Sequence, residues 1–150
     1  MIKIIRTNSD NKDFKNLVNE LDAYLAVTDG DEHAFYDQFN GIENLDHVMV
    51  AYKEDNAVGC GAFKKFDDTS VEIKRMYTIP EFRGNGIASE IIRALELWAS
   101  ELSYEHCILE TGKRQVEAVK FYKKKNYENI ANYGQYIGMA NSLCFKKRLN

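Results

Sequence analysis

Arg83-Gly84-Asn85-Gly86-Ile87-Ala88 joins an apolar, strand-like run ending near Pro80 to an amphipathic helical pattern that begins near Ala88. Two glycines leave the backbone free to take φ > 0 and let a ligand come close. The first N–H groups of the following helix have no intrahelical partner and point outward. Glycine turn and helix start together make a cradle for an anion. The stretch lacks the Lys-Ser/Thr of a Walker loop and is not a complete dinucleotide G-x-G-x-x-G, which disfavours a nucleotide-binding domain of another fold.

Downstream of the cradle, Ala88, Ile91, Ile92, Leu95, Trp98, Ala99 and Leu102 form one apolar stripe of a helix over residues 88–102. His106 to Glu110 then reads as a strand ended by Thr111-Gly112. A helix of this length before it permits a parallel βαβ crossover with the strand upstream. A further helix spans Gln115 to Lys125, and Asn126 offers its stop.

Upstream, Ser70 to Ile79 reads as a strand, with Val71, Ile73 and Arg75 on one side and Glu72, Lys74 and Met76 on the other. Strands at residues 47–53 and 57–66, joined by a turn at Glu54-Asp55-Asn56, complete a three-stranded meander. The chain begins with strand-like alternation over residues 1–6, followed by cap residues Asn8-Ser9-Asp10. A helix follows, carrying Phe14, Leu17, Val18, Leu21 and Leu25 at helical spacing. Two tail segments, around Tyr133 to Gly138 and from Ser142 to Leu149, suggest a closing antiparallel pair.

The 150 residues read as one domain, 1–150, with a formal charge of −3 that disfavours nucleic acid as the main partner. Lys123-Lys124-Lys125 reads as a solvated helix face. No apolar run approaches the roughly 20 residues of a membrane span, and the first residues lack the pattern of a secretory signal, so a cytoplasmic location is expected. Cys60, Cys107 and Cys144, with His33, His47 and His106, are too scattered for a disulfide framework or a zinc motif. No metal is expected.

Val71 to Pro80, the loop Arg83 to Ala88, and the run Ala118-Val119-Lys120-Phe121-Tyr122-Lys123-Lys124-Lys125-Asn126-Tyr127 together resemble the GNAT superfamily of acetyl-CoA-dependent N-acetyltransferases. The order of elements matches over nearly the whole chain. The resemblance implies an α/β (α+β) fold: a mixed, mostly antiparallel central sheet of six to seven strands flanked by about four helices. It implies acetyl-CoA as acyl donor, with CoA as product. The loop Arg83, Gly84, Asn85, Gly86, Ile87 and Ala88 would bind its pyrophosphate, and backbone groups of Met76, Tyr77 and Thr78 would hold the pantetheine arm as an added strand. Gln115 stands where the family often has a CoA-contacting Asn.

Acetyl transfer to an amine needs a proton acceptor for the amine and a proton donor for the departing thiolate. By the resemblance, Tyr122 is the donor. Glu72 is the base, unless a water relay serves and Glu72 is a solvent-facing strand residue. Cysteines within apolar strands make poor nucleophiles, so direct transfer in a ternary complex is expected. The acidic, aromatic stretch from residue 28 to 41 reads as a turn and short helix packed through Phe35, Tyr36 and Phe39. Alternatively, it is an acceptor wall in which Asp31, Glu32, His33 or Asp37 meets a cationic amine. Tyr133 and Tyr136 could likewise stack on the acceptor or brace their own loop. The expected reaction is N-acetylation of a small-molecule amine or an exposed peptide or protein amino group. A non-catalytic acyl-CoA-binding or regulatory module of the same fold is the alternative, and the aromatic tail offers a surface for a homodimer.

Overall fold

The computed structural model describes residues 1–30 and 45–149. A seven-stranded sheet runs through them in the order β1-β2-β3-β4-β5-β7-β6. Its strands are β1 (Ile2–Thr7), β2 (His47–Lys53), β3 (Asn56–Lys65), β4 (Ser70–Thr78), β5 (His106–Gly112), β6 (Glu128–Ile130) and β7 (Ser142–Arg148). All neighbours are antiparallel except β4 and β5. Three α-helices lie among the described residues: α1 (Lys12–Asp29), α2 (Ile87–Glu101) and α3 (Val116–Lys124). The short helix expected around Phe35 to Phe39 falls outside the described residues.

Alternation along the strands divides the core into two. Val48 and Val50 of β2 meet Phe14, Leu17, Val18, Leu21 and Leu25 of α1 on one face. Met49 and Ala51, their neighbours in sequence, meet Ile87, Ile91, Ile92 and Leu95 of α2 on the other. Tyr122 and Tyr127 extend this second core toward α3. The cap of α1 is Asn11 rather than the preceding Asn8-Ser9-Asp10: its side chain accepts the Phe14 N–H at 2.9 Å. Among the described residues, no helix is long and apolar enough to cross a membrane.

The tail closes differently from the sequence expectation. The strand antiparallel to β7 is Glu128–Ile130, while Gly134–Tyr136 forms a 3₁₀ turn. Asn132 holds that turn by donating its amide to the carbonyls of Tyr136 and Met139, each at 3.0 Å. Such a side-chain brace is an alternative to strand pairing.

β4 departs from simple alternation. Cys60 lies opposite Tyr77, but Ala62 lies opposite Lys74, so Arg75 and Met76 share the single partner position at Gly61. This is a β-bulge, and Arg75 occupies it with φ of 60°. The bulge reverses the faces expected for the two residues. Arg75 turns to the α1 side, where it pairs with Asp22, and Met76 packs with the α2 core. Gly61 leaves room opposite them, since a Cβ there would stand 2.5 Å from Met76 Sδ and 2.9 Å from Ile91 Cγ2 and would force these side chains to shift.

Leu95 is fully buried between α2 and the sheet, whereas Leu97 on the same helix is 59% exposed. Leu95→Ala should therefore lower unfolding free energy by about 2–5 kcal/mol in urea titrations. Leu97→Ala should change it by less than about 0.5 kcal/mol.

Candidate active site

The parallel pairing of β4 and β5 covers only Ser70 to Glu72 against His106 to Ile108. Beyond that point the strands separate, because the bulge bends β4 while β5 continues in register with β7 as far as Gly112. Two neighbouring cavities occupy the gap. The larger, of about 480 Å³, runs from Met76, Tyr77 and Thr78 to Gly84, Gly86 and the start of α2. The smaller, of about 120 Å³, lies deeper, between β4 residues Glu72 to Met76 and β5 residues Leu109 to Gly112. Leu21, Met76, Gln115, Ala118 and Tyr122 line both.

At the outer end, Gly84 and Gly86 have φ of 83° and 79°, and Gly86 is the N-cap of α2. No side chain caps this helix among the described residues, so N–H groups of its first turn face the cleft without an intrahelical partner. A Cβ at either glycine would meet nothing within 4 Å, so the glycines answer to backbone conformation rather than crowding. Arg83 and Asn85 brace the loop. Arg83 Nε donates to the Thr78 carbonyl at 2.9 Å, with its guanidinium over the rings of Tyr24 and Tyr77, and Asn85 Nδ2 donates to the Phe82 carbonyl at 3.1 Å. An open helix N-terminus, a glycine turn and a long cleft suit a chain-like ligand with a phosphate group. Along that cleft, Met76, Tyr77 and Thr78 belong to the stretch of β4 that no longer pairs with β5.

At the junction of the cavities Tyr122 is buried, its ring edge-on to Tyr127 and Phe121. Burial pushes its phenol upward from the ordinary value, so it is protonated at neutral pH. Glu72 is 4% exposed, which corrects the solvent-facing reading. The Tyr133 hydroxyl donates to Glu72 Oε2 at 2.7 Å, and Lys74 Nζ lies 3.7 Å from Oε1. Burial first, and then the Glu72 carboxylate, raise the Tyr133 phenol and keep it a donor. Tyr136 lines the small cavity, edge-on to Tyr133. The tyrosine turn thus reaches the site, with Tyr133 behind the carboxylate and Tyr136 in the wall.

Several lining residues had drawn no functional reading from the sequence: Leu21, Leu25, Lys74, Arg75, Glu110 and Thr111. Signals existed for two of them. Lys74 shares the face of Glu72 by the period of a strand, and Glu110 lies toward the carboxyl end of a parallel strand, where α/β sheets bind ligands. Asp31, Glu32 and His33 lie outside the described residues. Cys60 and Cys107 are buried, and burial pushes each thiol up to about 12. Among the described residues, no group of three or more His, Cys, Asp or Glu could hold a metal ion.

A cleft opened in a parallel strand pair, with an anion cradle at one end and ionisable groups at the other, is the layout of a group-transfer enzyme. The chain belongs to the Acetyltransferase (GNAT) family, whose profile matches residues 14–127. The family's reaction is acyl transfer from acetyl-CoA. The chain is 28% identical over 135 residues to an IAA acetyltransferase of Azospirillum brasilense, covering 89% of this chain and 88% of that one. It is 30% identical over 101 residues to the uncharacterised N-acetyltransferase YsnE of Bacillus subtilis, covering 66% and 67%. The fold matches a Klebsiella pneumoniae chain designated an acyl-CoA N-acyltransferase, with a TM-score of 0.84 at 24% identity over 100% and 99% of the two chains. It also matches a GNAT acetyltransferase of Elizabethkingia anophelis with acetyl-CoA bound, with a TM-score of 0.70 at 15% identity over 99% and 98%.

The Arg75 side chain is 2% exposed and its partner Asp22 38%. Asp22→Asn leaves a buried guanidinium without its counter-charge and, with Asp22 partly exposed, should cost about 1–2 kcal/mol in denaturant unfolding. A cost below about 0.5 kcal/mol would show that the pair does not hold the bulge.

Proposed function

We propose that the protein transfers an acetyl group from acetyl-CoA to a primary amine, of a small molecule or an exposed peptide or protein amino group, by direct transfer in a ternary complex. The carrying observation is that Tyr122 stands where the long cleft meets a cavity holding the buried Glu72 carboxylate. A proton donor and a proton acceptor therefore flank the place where donor and acceptor would meet.

Bound acetyl-CoA supplies an activated acetyl thioester. N–H groups at Gly84, Gly86, Ile87 and Ala88 hold the pyrophosphate, while Arg83 and Asn85 keep the loop in shape. Backbone groups of Met76, Tyr77 and Thr78 hold the pantetheine arm, and the Gln115 amide reaches it from the start of α3. The acceptor nitrogen forms a bond to the acetyl carbonyl carbon, and the carbon–sulfur bond breaks. The nitrogen's proton passes to Glu72, directly or through one water, and Tyr122 gives its proton to the sulfur. The high thiols of Cys60 and Cys107 favour this direct route over an acetyl-cysteine.

Purified protein given acetyl-CoA and an amine panel should release free CoA; tight binding of acetyl-CoA with no release would instead indicate a binding module. Tyr122→Phe should lower kcat about 100-fold or more, with acetyl-CoA affinity by calorimetry close to the parent value. An unchanged kcat would remove Tyr122 from the mechanism. Gly86→Val places a β-branched residue at φ of 79° and strains the loop by about 1–2 kcal/mol. It should weaken acetyl-CoA binding about tenfold.

A further inference from the structure

The small cavity is lined by two carboxylates, Glu72 and Glu110, and two cations, Lys74 and Arg75. Three of these charges lie along β4 itself, and all three are withdrawn from water: side-chain exposure is 6% for Glu72, 7% for Lys74 and 2% for Arg75. Charges so placed are costly unless opposite charges balance them. Arg75 is balanced by Asp22 across the α1 interface, yet its Nε has no hydrogen-bond partner among the described residues. Lys74 Nζ lies 3.7 Å from Glu72 Oε1.

The charges limit what can enter. A polyamine or a lysine side chain would bring no anion to Lys74. A simple alkylamine would leave both cations facing its hydrocarbon. A zwitterion adds no net charge and carries one group for each sign. The volume points the same way: about 120 Å³ is somewhat less than the roughly 150 Å³ cavity that takes benzene, so about five non-hydrogen atoms fit. An α-amino acid with a short side chain has that size.

Resting on the N-acetyltransferase reading above, we infer that the acceptor is a small free amino acid, its amine directed to Glu72 and its carboxylate held by the Lys74 ammonium, with Arg75 adding positive charge at the same wall. The ammonium offers three donors to a carboxylate. Glu110, on the opposing strand, lines the same cavity and adds a second carboxylate to it. The product is an N-acetyl amino acid and free CoA, with one proton released when a zwitterion is consumed.

The test is CoA release by the wild-type protein with matched acceptors: glycine against methylamine and glycinamide, alanine against ethylamine and alaninamide, with spermidine and a tetrapeptide alongside. The free amino acids should exceed their partners in kcat/KM by about 100-fold, expressed mainly in KM. In Lys74→Met the preference should fall toward one, and Lys74→Arg should restore part of it. A merely structural Lys74 would lower turnover of amino acid and amine alike and leave their ratio intact, which would overturn its assigned role. The wild-type comparison needs no variant to fold: equal kcat/KM for alanine and ethylamine, or preference for spermidine or the tetrapeptide, overturns the inference while leaving amine acetylation standing. No CoA release with any of these amines overturns both readings.

Discussion

Arg75 is held with φ of 60° at a bulge in β4, and the architecture of the site depends on that one departure from regular pairing. A non-glycine residue rarely takes this conformation without compensation. Here the compensation comes from the Asp22 ion pair and from the Cys60 thiol, which donates to the Arg75 carbonyl at 3.4 Å. One extra residue bends the strand, so a parallel pair that begins at Ser70 and His106 does not continue past Glu72 and Ile108. The space thus freed is bounded by backbone on one side and α3 on the other. An uninterrupted β4–β5 ladder would leave no room for a ligand there.

The bulge also sorts the side chains. Before it, Glu72 and Lys74 face the small cavity while Val71 and Ile73 pack beneath α2. After it, Met76 fills the α2 core and Tyr77 joins the core under α1. Polar chemistry and apolar packing are thereby placed on one strand without burying an unbalanced charge. Tyr133 completes the arrangement from a turn 61 residues downstream, where its hydroxyl reaches Glu72.

Much of this was readable from local sequence. The glycine loop, the amphipathic stripe of α2, the parallel crossover into β5 and the Asn126 helix stop each rest on a neighbour-to-neighbour signal. Asn126 indeed takes φ of 72°. The bulge was not legible, because Glu72-Ile73-Lys74-Arg75-Met76 alternates no less regularly than an unbulged strand. Its causes, Asp22 on α1 and Gly61 on β3, are distant in sequence. The same holds for the buried state of Glu72, which depends on a tyrosine from the tail, and for Lys74, whose strand position was clear but whose surroundings were not. Of the two aromatic or apolar tail segments, the second forms β7, whereas in the first Asn132 pins a 3₁₀ turn in place of a strand.

We propose that the gap between β4 and β5, closed at one end by the N-terminus of α2, seats acetyl-CoA. Amide hydrogen exchange with and without bound CoA tests it most directly, residue by residue. Exchange should slow in two segments, residues 76–78 and 83–89, with the β1–β2 pair at the far edge of the sheet unchanged. Binding accompanied by protection elsewhere, with both segments exchanging as before, would contradict it.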